Sequence, residues 1–505
     1  MRPRLATVVL ERELKLQADA AFAMPDLSAV PGVTASVGPA QQLVAVYYDT
    51  PSLALAQWGV TLRRRDDGWT LKVPVGDGHH VLSRHEVTFP GAGASPPPAA
   101  LDAVAALLMG EPVAAVAAIN TTRRLHHLAG EGGQTLAALA DDVVEVRRDD
   151  EAVASFRELE LELRPEAKPR LRKAVSRLLR EAGARREAAL PKLVQALGVD
   201  AEAGPEPRSP AVDAGASLSA VVQAALAAGA RRLLGHEPGV RLDLDTEAVH
   251  QARAATRQLR ALLGAFLPVL AEGDRVEGLR DELGWLGRHL GTVRDADVLA
   301  ERLHRGAAVD LTPGDRPAAD ALLAALAEER AAARGALLEA LHEERCAVLL
   351  RELVALAGAP DVVNGAAHAR DVLPGLVHRR WRRLARIIAG LPPDPGDPDL
   401  HRVRIRAKDC RYLAEAAAPA LGRPAERLAA ALADLQDVLG QMQDGVMAEA
   451  WLRRRGRRMS GGRALVAGQL LAVARDDAES ARHLWRDVWS EAAARARAMG
   501  LRTGS

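Results

Sequence analysis

Apolar and polar positions alternate with a period of two through much of the first 200 residues. Val8 to Leu16, Leu43 to Tyr48, Val60 to Arg65, Trp69 to Val73, Val81 to Phe89, Thr121 to Leu128, Leu136 to Arg147 and Ser155 to Leu163 all read as strands. Turns such as Asp66-Asp67-Gly68 and Gly76-Asp77-Gly78 separate neighbours as in hairpins. Helical patterns intervene near Leu101–Leu108 and Leu171–Ala182. Hairpin-linked strands with few helices predict an antiparallel β-barrel with helices outside it, an α+β unit over residues 1–200.

Residues 201–216 have linker composition, rich in Ala, Gly and Pro, and no strand pattern follows them. Residues 217–505 carry helical spacing, broken at clusters such as Leu391-Pro-Pro-Asp-Pro-Gly-Asp-Pro398, and are predicted to be all-α. This half repeats itself. His250-Gln-Ala-Arg253-Ala-Ala-Thr-Arg257-Gln-Leu-Arg260 matches His401-Arg-Val-Arg404-Ile-Arg-Ala-Lys408-Asp-Cys-Arg411 at an offset of 151 residues. Downstream, Leu283, Leu286, Leu290, Gly291 and Asp295 match Leu432, Leu435, Leu439, Gly440 and Asp444 at an offset of 149. Unusual residues shared at a near-constant offset imply two duplicated helical bundles. One departure is chemical: Gln443 stands where the first copy has Arg294.

Length and composition narrow the class. A chain of 505 residues exceeds one ordinary core, and 48% hydrophobic with 26% charged residues is a globular balance. No stretch approaches the ~20 apolar residues of a membrane helix, and the short apolar run after Arg4 is broken at Glu11. A cytoplasmic protein with no membrane partner is therefore expected. Cys346 and Cys410 have no ligand spacing and read as ordinary thiols of a reducing compartment. A net charge of +1 predicts no partner in bulk, so only local clusters carry information. Of 67 basic residues only six are lysine, which makes each lysine an unusual choice in this chain.

Strand geometry puts residues i, i+2 and i+4 on one face. Glu11, Glu13 and Lys15 share a face, as do Glu158, Glu160 and Glu162; so do Arg63 with Arg65, and Arg84 with Glu86. Such strands can turn their leucines inward and their charges to water, or the reverse. Several strands with the same habit favour a charged lumen, in which carboxylates bind a hard cation and Lys or Arg hold phosphate oxygens. Isolated buried charge is too costly for either set to stand without the other.

These residues bring a family into view. Glu11-x-Glu13-x-Lys15 resembles the ExExK signature of the CYTH, or triphosphate tunnel metalloenzyme, superfamily. The likeness continues through Tyr47-Tyr48-Asp49-Thr50, Arg63-x-Arg65, Lys72, Arg84-x-Glu86, Arg124, Glu158-x-Glu160-x-Glu162 and Pro191-Lys192. The resemblance implies hydrolysis of tripolyphosphate or an organic triphosphate with Mg²⁺ or Mn²⁺. It implies that Glu11, Glu13, Glu158 and Glu160 face the metal, and that Glu11, Glu13 and Lys15 form the catalytic triad. Lys15, Arg63, Arg65, Lys72, Arg84, Arg124 and Lys192 would then clamp phosphate, while Glu86 and Glu162 could pair with neighbouring arginines. Pro191 departs from the pattern, which has a small hydroxyl residue before the lysine. Trp58 and Trp69 are the aromatic candidates for an organic substrate.

In the second half, His250, Arg253, Arg257 and Arg260 fall within an arc of about 80° on a helix, and His401, Arg404, Lys408 and Arg411 do the same. Arg379, Arg383 and Arg386 form a further basic side. Carboxylates usually balance such rows, yet His250–Arg260 contains none and His401–Arg411 only Asp409. The paired pattern resembles the CHAD domain, the conserved-histidine α-helical domain, which implies binding of inorganic polyphosphate through these eleven residues and association with polyphosphate granules. Nucleic acid is the rival polyanion. It fits less well, because the basic helices lack interleaved aromatics for stacking bases. Inorganic triphosphate and polyphosphate are thus the expected partners. A non-catalytic adaptor on polyphosphate granules and a hydrolase of thiamine triphosphate or ATP are the alternatives.

Overall fold

Strands whose two faces differ in chemistry need two environments, and a closed sheet wrapped by a helix supplies both. The computed structural model describes residues 7–75, 82–90, 93–148, 151–164, 166–186, 191–197 and 205–502. The turn expected at Gly76-Asp77-Gly78, Val81 and residues 201–204 of the expected linker lie outside the described residues. The chain divides into two compact units, Met1–Pro205 with Arg241–Leu244, and Glu206–Val240 with Asp245–Ser505.

The first unit contains β1 (Val8–Ala18), β2 (Thr34–Val37), β3 (Gln41–Asp49), α1 (Ala54–Gln57), β4 (Thr61–Arg65), β5 (Gly68–Pro74) and β6 (Leu82–Phe89). It continues with α2 (Pro98–Asp102), α3 (Ala105–Leu108), β7 (Ala114–Ala129), β8 (Thr135–Arg148), β9 (Glu151–Leu163), α4 (Pro169–Glu181) and α5 (Lys192–Leu197). Among the described residues, eight antiparallel strands close into a barrel in the order β7-β3-β4-β5-β6-β1-β9-β8, with β8 pairing back to β7; β2 adds to β7. The eight period-two segments are these eight strands. The short pieces β2, α1 and α5 have too few residues to show a period, and they were not anticipated.

Of the two orientations weighed for the acidic strands, the structure has the one with charges in the lumen, and the leucines escape water by packing outside the barrel. Leu14 and Leu16 of β1, Leu128 of β7, Leu139 of β8 and Leu159 and Leu161 of β9 are buried, but outside the barrel, against Leu171, Val175 and Leu179 of α4. The alternate residues, including Glu13, Lys15, Glu158 and Glu160, are thereby turned into the lumen. A second apolar cluster joins Ala45, Tyr47, Ala117, Ile119, Val144 and Val146 to Leu193 and Val194 of α5. Asp49 fixes the turn after β3, its carboxylate accepting from the amides of Thr50, Leu55 and Ala56 at 2.7–2.9 Å.

The second unit is all-helical: α6 (Leu218–Leu242), α7 (Thr246–Phe266), α8 (Gly273–Asp310), α9 (Arg316–His342), α10 (Glu344–Gly358), α11 (Ala369–Ala389), α12 (Asp397–Leu421), α13 (Arg423–Gly456) and α14 (Gly462–Ala498). Ser217 and His368 form an isolated antiparallel bridge immediately before α6 and α11. They stand 151 residues apart, the offset of the sequence repeat, so the bridge marks a pseudo-twofold relation. In that relation α6–α9 correspond to α11–α14, and α7 packs against its counterpart α12. No helix among the described residues is long and apolar enough to cross a membrane.

Leu159 is fully buried between sheet and helix, so Leu159→Ala should destabilise the barrel by about 2–5 kcal/mol. Calorimetric unfolding checks this. A shift in Tm no larger than that of an exposed-site variant would place the leucine face elsewhere.

Candidate functional site

Strand register brings opposite charges side by side in the lumen. Glu11 pairs in register with Arg84, Lys15 with Glu160, Lys72 with Glu86, and Arg123 with Asp142. Lys15 Nζ lies 2.8 Å from Glu160, 3.4 Å from Glu158 and 3.6 Å from Glu13. Lys72 reaches Glu11 at 2.7 Å and Glu86 at 2.8 Å, and Arg84 reaches Glu13 at 2.7 Å and Glu11 at 3.3 Å. From the start of α5, Lys192 contacts Asp142 and Glu158 at 2.7 Å and Glu160 at 3.1 Å. All of these groups except Asp142 and Glu158 line a cavity of about 220 Å³.

Burial alone would lower the pKa of Lys15 and of Lys192. Glu158 and Glu160 outweigh it and raise both pKa values. The converse holds for Glu160: burial would raise its pKa, but Lys15, Lys192 and Arg123 hold it well below the usual carboxylate range. For Glu158 burial prevails and the pKa rises.

Charge balance fails at one place. Arg63 has only Glu86, at 3.8 Å, and Arg65 has no carboxylate partner among the described residues. The Nε atoms of both are buried without a hydrogen-bond partner. Burial and the neighbouring Arg63 lower the pKa of Arg65. Tyr47 shares this corner; burial would raise its phenol, but Arg63, Lys192 and Arg65 bring it down. The corner carries positive charge that the carboxylates of the described residues do not balance.

The carboxylates Asp142, Glu158 and Glu160 present oxygens within 4.8 Å of one another and could hold a metal ion. An all-oxygen donor set suits a hard divalent cation. Lys15, Lys192 and Arg123 engage these three carboxylates, just as Lys72 and Arg84 engage Glu11 and Glu13 on the cavity wall.

One expected clamp residue is misplaced. Arg124 is exposed, and its neighbour Arg123 occupies the lumen, bound to Asp142 at 2.6 Å and Glu160 at 2.7 Å. The face of β7 that carries Ala117, Ile119 and Thr121 carries Arg123, so parity along the strand holds the signal. Asp142 was missed likewise, although parity with Val144 and Val146 puts it inward and Glu158 is its register partner. Glu162 is exposed, whereas Glu86 lines the cavity. Trp69 is buried, rests on Tyr48 at a centroid distance of 4.7 Å and donates to the Gly93 carbonyl, so its ring offers no stacking surface.

In the helical unit, Arg253 and Arg257 of α7 meet Arg404 and Lys408 of α12. Burial followed by Arg404, Arg257 and Arg253 pushes the Lys408 ammonium down to about 6. Asp295, 2.5 Å from Arg253, and Asp444 supply partial compensation. His250 is half-buried beside Arg294, whereas exposed His401 hydrogen-bonds Gln443 at 3.1 Å, so the exchange of Arg294 for Gln443 between the copies changes the histidine's neighbour. Other expected members are engaged elsewhere: Arg260 donates to the Arg280 carbonyl, and Arg411 pairs with Glu415. Arg379, Arg383 and Arg386 lie exposed on α11 and make no ion pair among the described residues. Arg383 neighbours Arg380, which also feels Arg280 and Arg406, so this is a separate basic face.

A charged, closed antiparallel barrel followed by a duplicated helical unit with a cation cluster defines the class. Residues 10–192 match the family model of the CYTH domain, and residues 224–453 that of the CHAD domain. The chain is 30% identical over 489 residues to two Mycobacterium tuberculosis proteins, the uncharacterized MT2285 and Rv2226, covering 88% of itself and 88% of each. It belongs to the family that joins a CYTH domain to a CHAD domain. Similar solved structures include PptA from Streptomyces chartreusis, 26% identical with a TM-score of 0.45 over 55% of this chain and 100% of that one. The CHAD domain from the plant Ricinus communis is 27% identical, with a TM-score of 0.42 over 55% of this chain and 96% of that one.

The register makes a direct prediction. Arg123→Ala leaves Asp142 and Glu160 short of a partner and should cost on the order of 3 kcal/mol, whereas Arg124→Ala should stay within about 0.5 kcal/mol. Thermal denaturation of the two variants decides; equal effects would refute the inward assignment of Arg123.

Proposed function

We propose that the barrel hydrolyses inorganic tripolyphosphate with the help of a divalent metal, and that the helical unit binds longer polyphosphate. The observation that carries this reading is the anion-deficient corner of Arg63 and Arg65 inside an otherwise balanced, enclosed cavity. A chain of phosphates supplies the missing charge, and arginine's fork matches its oxygens two at a time. Arg123 and the lysines add donors along the wall, so the substrate is fixed in line by groups already in place. Asp142, Glu158 and Glu160 would hold Mg²⁺ or Mn²⁺, which when bound supplies Lewis-acid polarisation of a phosphoryl oxygen. Water adds to the terminal phosphorus, the bridging P–O bond breaks, and orthophosphate and pyrophosphate leave. With Trp69 buried, Tyr47 is the one aromatic ring on the cavity wall among the described residues, which supports the inorganic substrate over an organic one.

Phosphate release from tripolyphosphate, longer chains, ATP and thiamine triphosphate, each with Mg²⁺ or Mn²⁺, tests the substrate. Tripolyphosphate should be fastest. Arg63→Ala and Arg65→Ala should each lower kcat/KM by about 10–100-fold, and Glu160→Gln should abolish turnover. Preference for ATP, or unchanged kcat/KM in both arginine variants, would overturn the assignment.

The helical cluster predicts a pH dependence. A lysine with its pKa depressed to about 6 is neutral above that pH while the site is empty. A bound polyanion favours the ammonium, so binding takes up a proton, and affinity falls as pH rises above about 6, by up to about tenfold per unit. Titration calorimetry with long-chain polyphosphate in buffers of different ionisation heat measures the uptake. Lys408→Arg should bind without it. Uptake undiminished in that variant would assign the proton to another group. Binding should also weaken steeply with salt, and equal or tighter binding of single-stranded DNA would replace polyphosphate as the ligand.

A further inference from the structure

Gly291 of α8 and Gly440 of α13 stand in the middle of long helices, where glycine is a poorer helix former than alanine. Neither has the positive φ that would require glycine. Like Gly264 and Gly284, each has a guanidinium lying against it, but here the guanidinium belongs to the cation cluster of α7 and α12. A Cβ at position 440 would fall 3.0 Å from Arg404 Nη2 and 3.6 Å from its Cζ and Nε. At position 291 it would fall 3.5 Å from Cζ, Nε and Nη2 of Arg253, so that guanidinium faces the bare backbone. Arg253 Nη1 also donates to the Gly291 carbonyl at 3.3 Å. Both glycines are buried. The two contacts are related by the internal repeat: the glycines are 149 residues apart and the arginines 151. The same arrangement has formed in both copies.

We propose that Gly440 and Gly291 are positioning residues of the polyanion cluster, each leaving a gap on its helix across which an arginine of the neighbouring helix is laid towards Arg257 and Lys408. The inference rests on the polyphosphate reading of that cluster. Like charges repel, and a long side chain freed from its seat gains rotamer entropy by swinging into water. Contact with the glycine backbone opposes that drift. Arg404 has the greater need of it, because its Nε is buried without a hydrogen-bond partner while Arg253 is also tied to Asp295. The spacing is tighter at 440 than at 291, so a methyl group at 440 displaces its arginine further. The two sites should therefore respond unequally.

The test uses the full chain and the variants Gly440→Ala, Gly291→Ala, Arg404→Ala and the double variant Gly440→Ala/Arg404→Ala. Gly440→Ala should keep or raise Tm, since alanine favours the helix, while lowering affinity for long-chain polyphosphate about tenfold. Gly291→Ala should have a smaller effect. In the Arg404→Ala background the same glycine substitution should change affinity less than about twofold, since its effect passes through the arginine. A second readout needs no ligand. With only six lysines in the chain, ¹³C-dimethyl labelling can follow Lys408, whose titration should move to higher pH in Gly440→Ala as the Arg404 charge recedes. An equal loss of affinity with and without Arg404, or no change in either affinity or the Lys408 titration, overturns the proposal. A parent protein that binds no polyphosphate, while Gly440→Ala still moves the Lys408 titration, sustains the positioning role and removes the polyphosphate reading instead.

Discussion

A charged interior persists only where its charges cancel, and in this barrel the cancellation is done by strand register. Because side chains alternate, pairing Glu11 with Arg84, Lys15 with Glu160, Lys72 with Glu86 and Arg123 with Asp142 sets each charge beside its opposite. A slip of one residue would put leucines in the lumen and charges against α4. The outer leucine layer and the inner ion network therefore specify the same register from opposite sides of the sheet. The ion network alone is a weak source of stability, since the attraction within buried ion pairs does little more than offset their desolvation, and the leucine layer supplies the larger share. Together they leave one arrangement with both faces satisfied.

The same accounting shows where the molecule departs from neutrality. Among the described residues of the barrel the departure falls at Arg63 and Arg65, partly buried on the cavity wall. In the helical unit it is broader: four cations from α7 and α12 converge, and the burial that gathers them pushes Lys408 far below the usual range of an ammonium. Both places hold positive charge at a cost that the free protein does not recover. Stored electrostatic strain of this kind is released by an anion that brings its own dense charge, and it marks binding sites more reliably than net charge does. The whole chain carries only +1.

How much of this was legible in the sequence depends on the range over which each signal acts. Period-two alternation survived as the eight barrel strands, and the 151-residue repeat reappeared as the Ser217–His368 bridge. The residues singled out by family resemblance include Glu11, Glu13, Lys15, Arg63, Arg65, Lys72, Arg84, Glu160 and Lys192, which line one cavity, and Glu158, which contacts Lys15 and Lys192. Arg124 failed because two adjacent arginines on one strand look alike until parity with the buried neighbours is fixed, and that parity puts Arg123 inside. Asp142 was hidden for the same reason beside Asp141. The separation of Arg379, Arg383 and Arg386 from the central cluster is a matter of helix packing, which no local pattern encodes. Gly291 and Gly440 were visible as a matched pair, but the reason for glycine there is a side chain on another helix.

Enclosure accounts for the division of labour proposed for the two units. A cavity of about 220 Å³ limits how much phosphate it can surround, so its walls can select a short chain or the end of a long one. On the proposed reading the helical cluster takes any stretch of a long polymer, because Arg253, Arg257, Arg404 and Lys408 are partly exposed and every stretch would present the same charges to them. A site that selects and a site that captures are complementary when they share a chain, because tethering converts the second encounter into an intramolecular one. The benefit is greatest for a ligand too long to enter the cavity whole, and it vanishes for free tripolyphosphate, which has no second segment to be held.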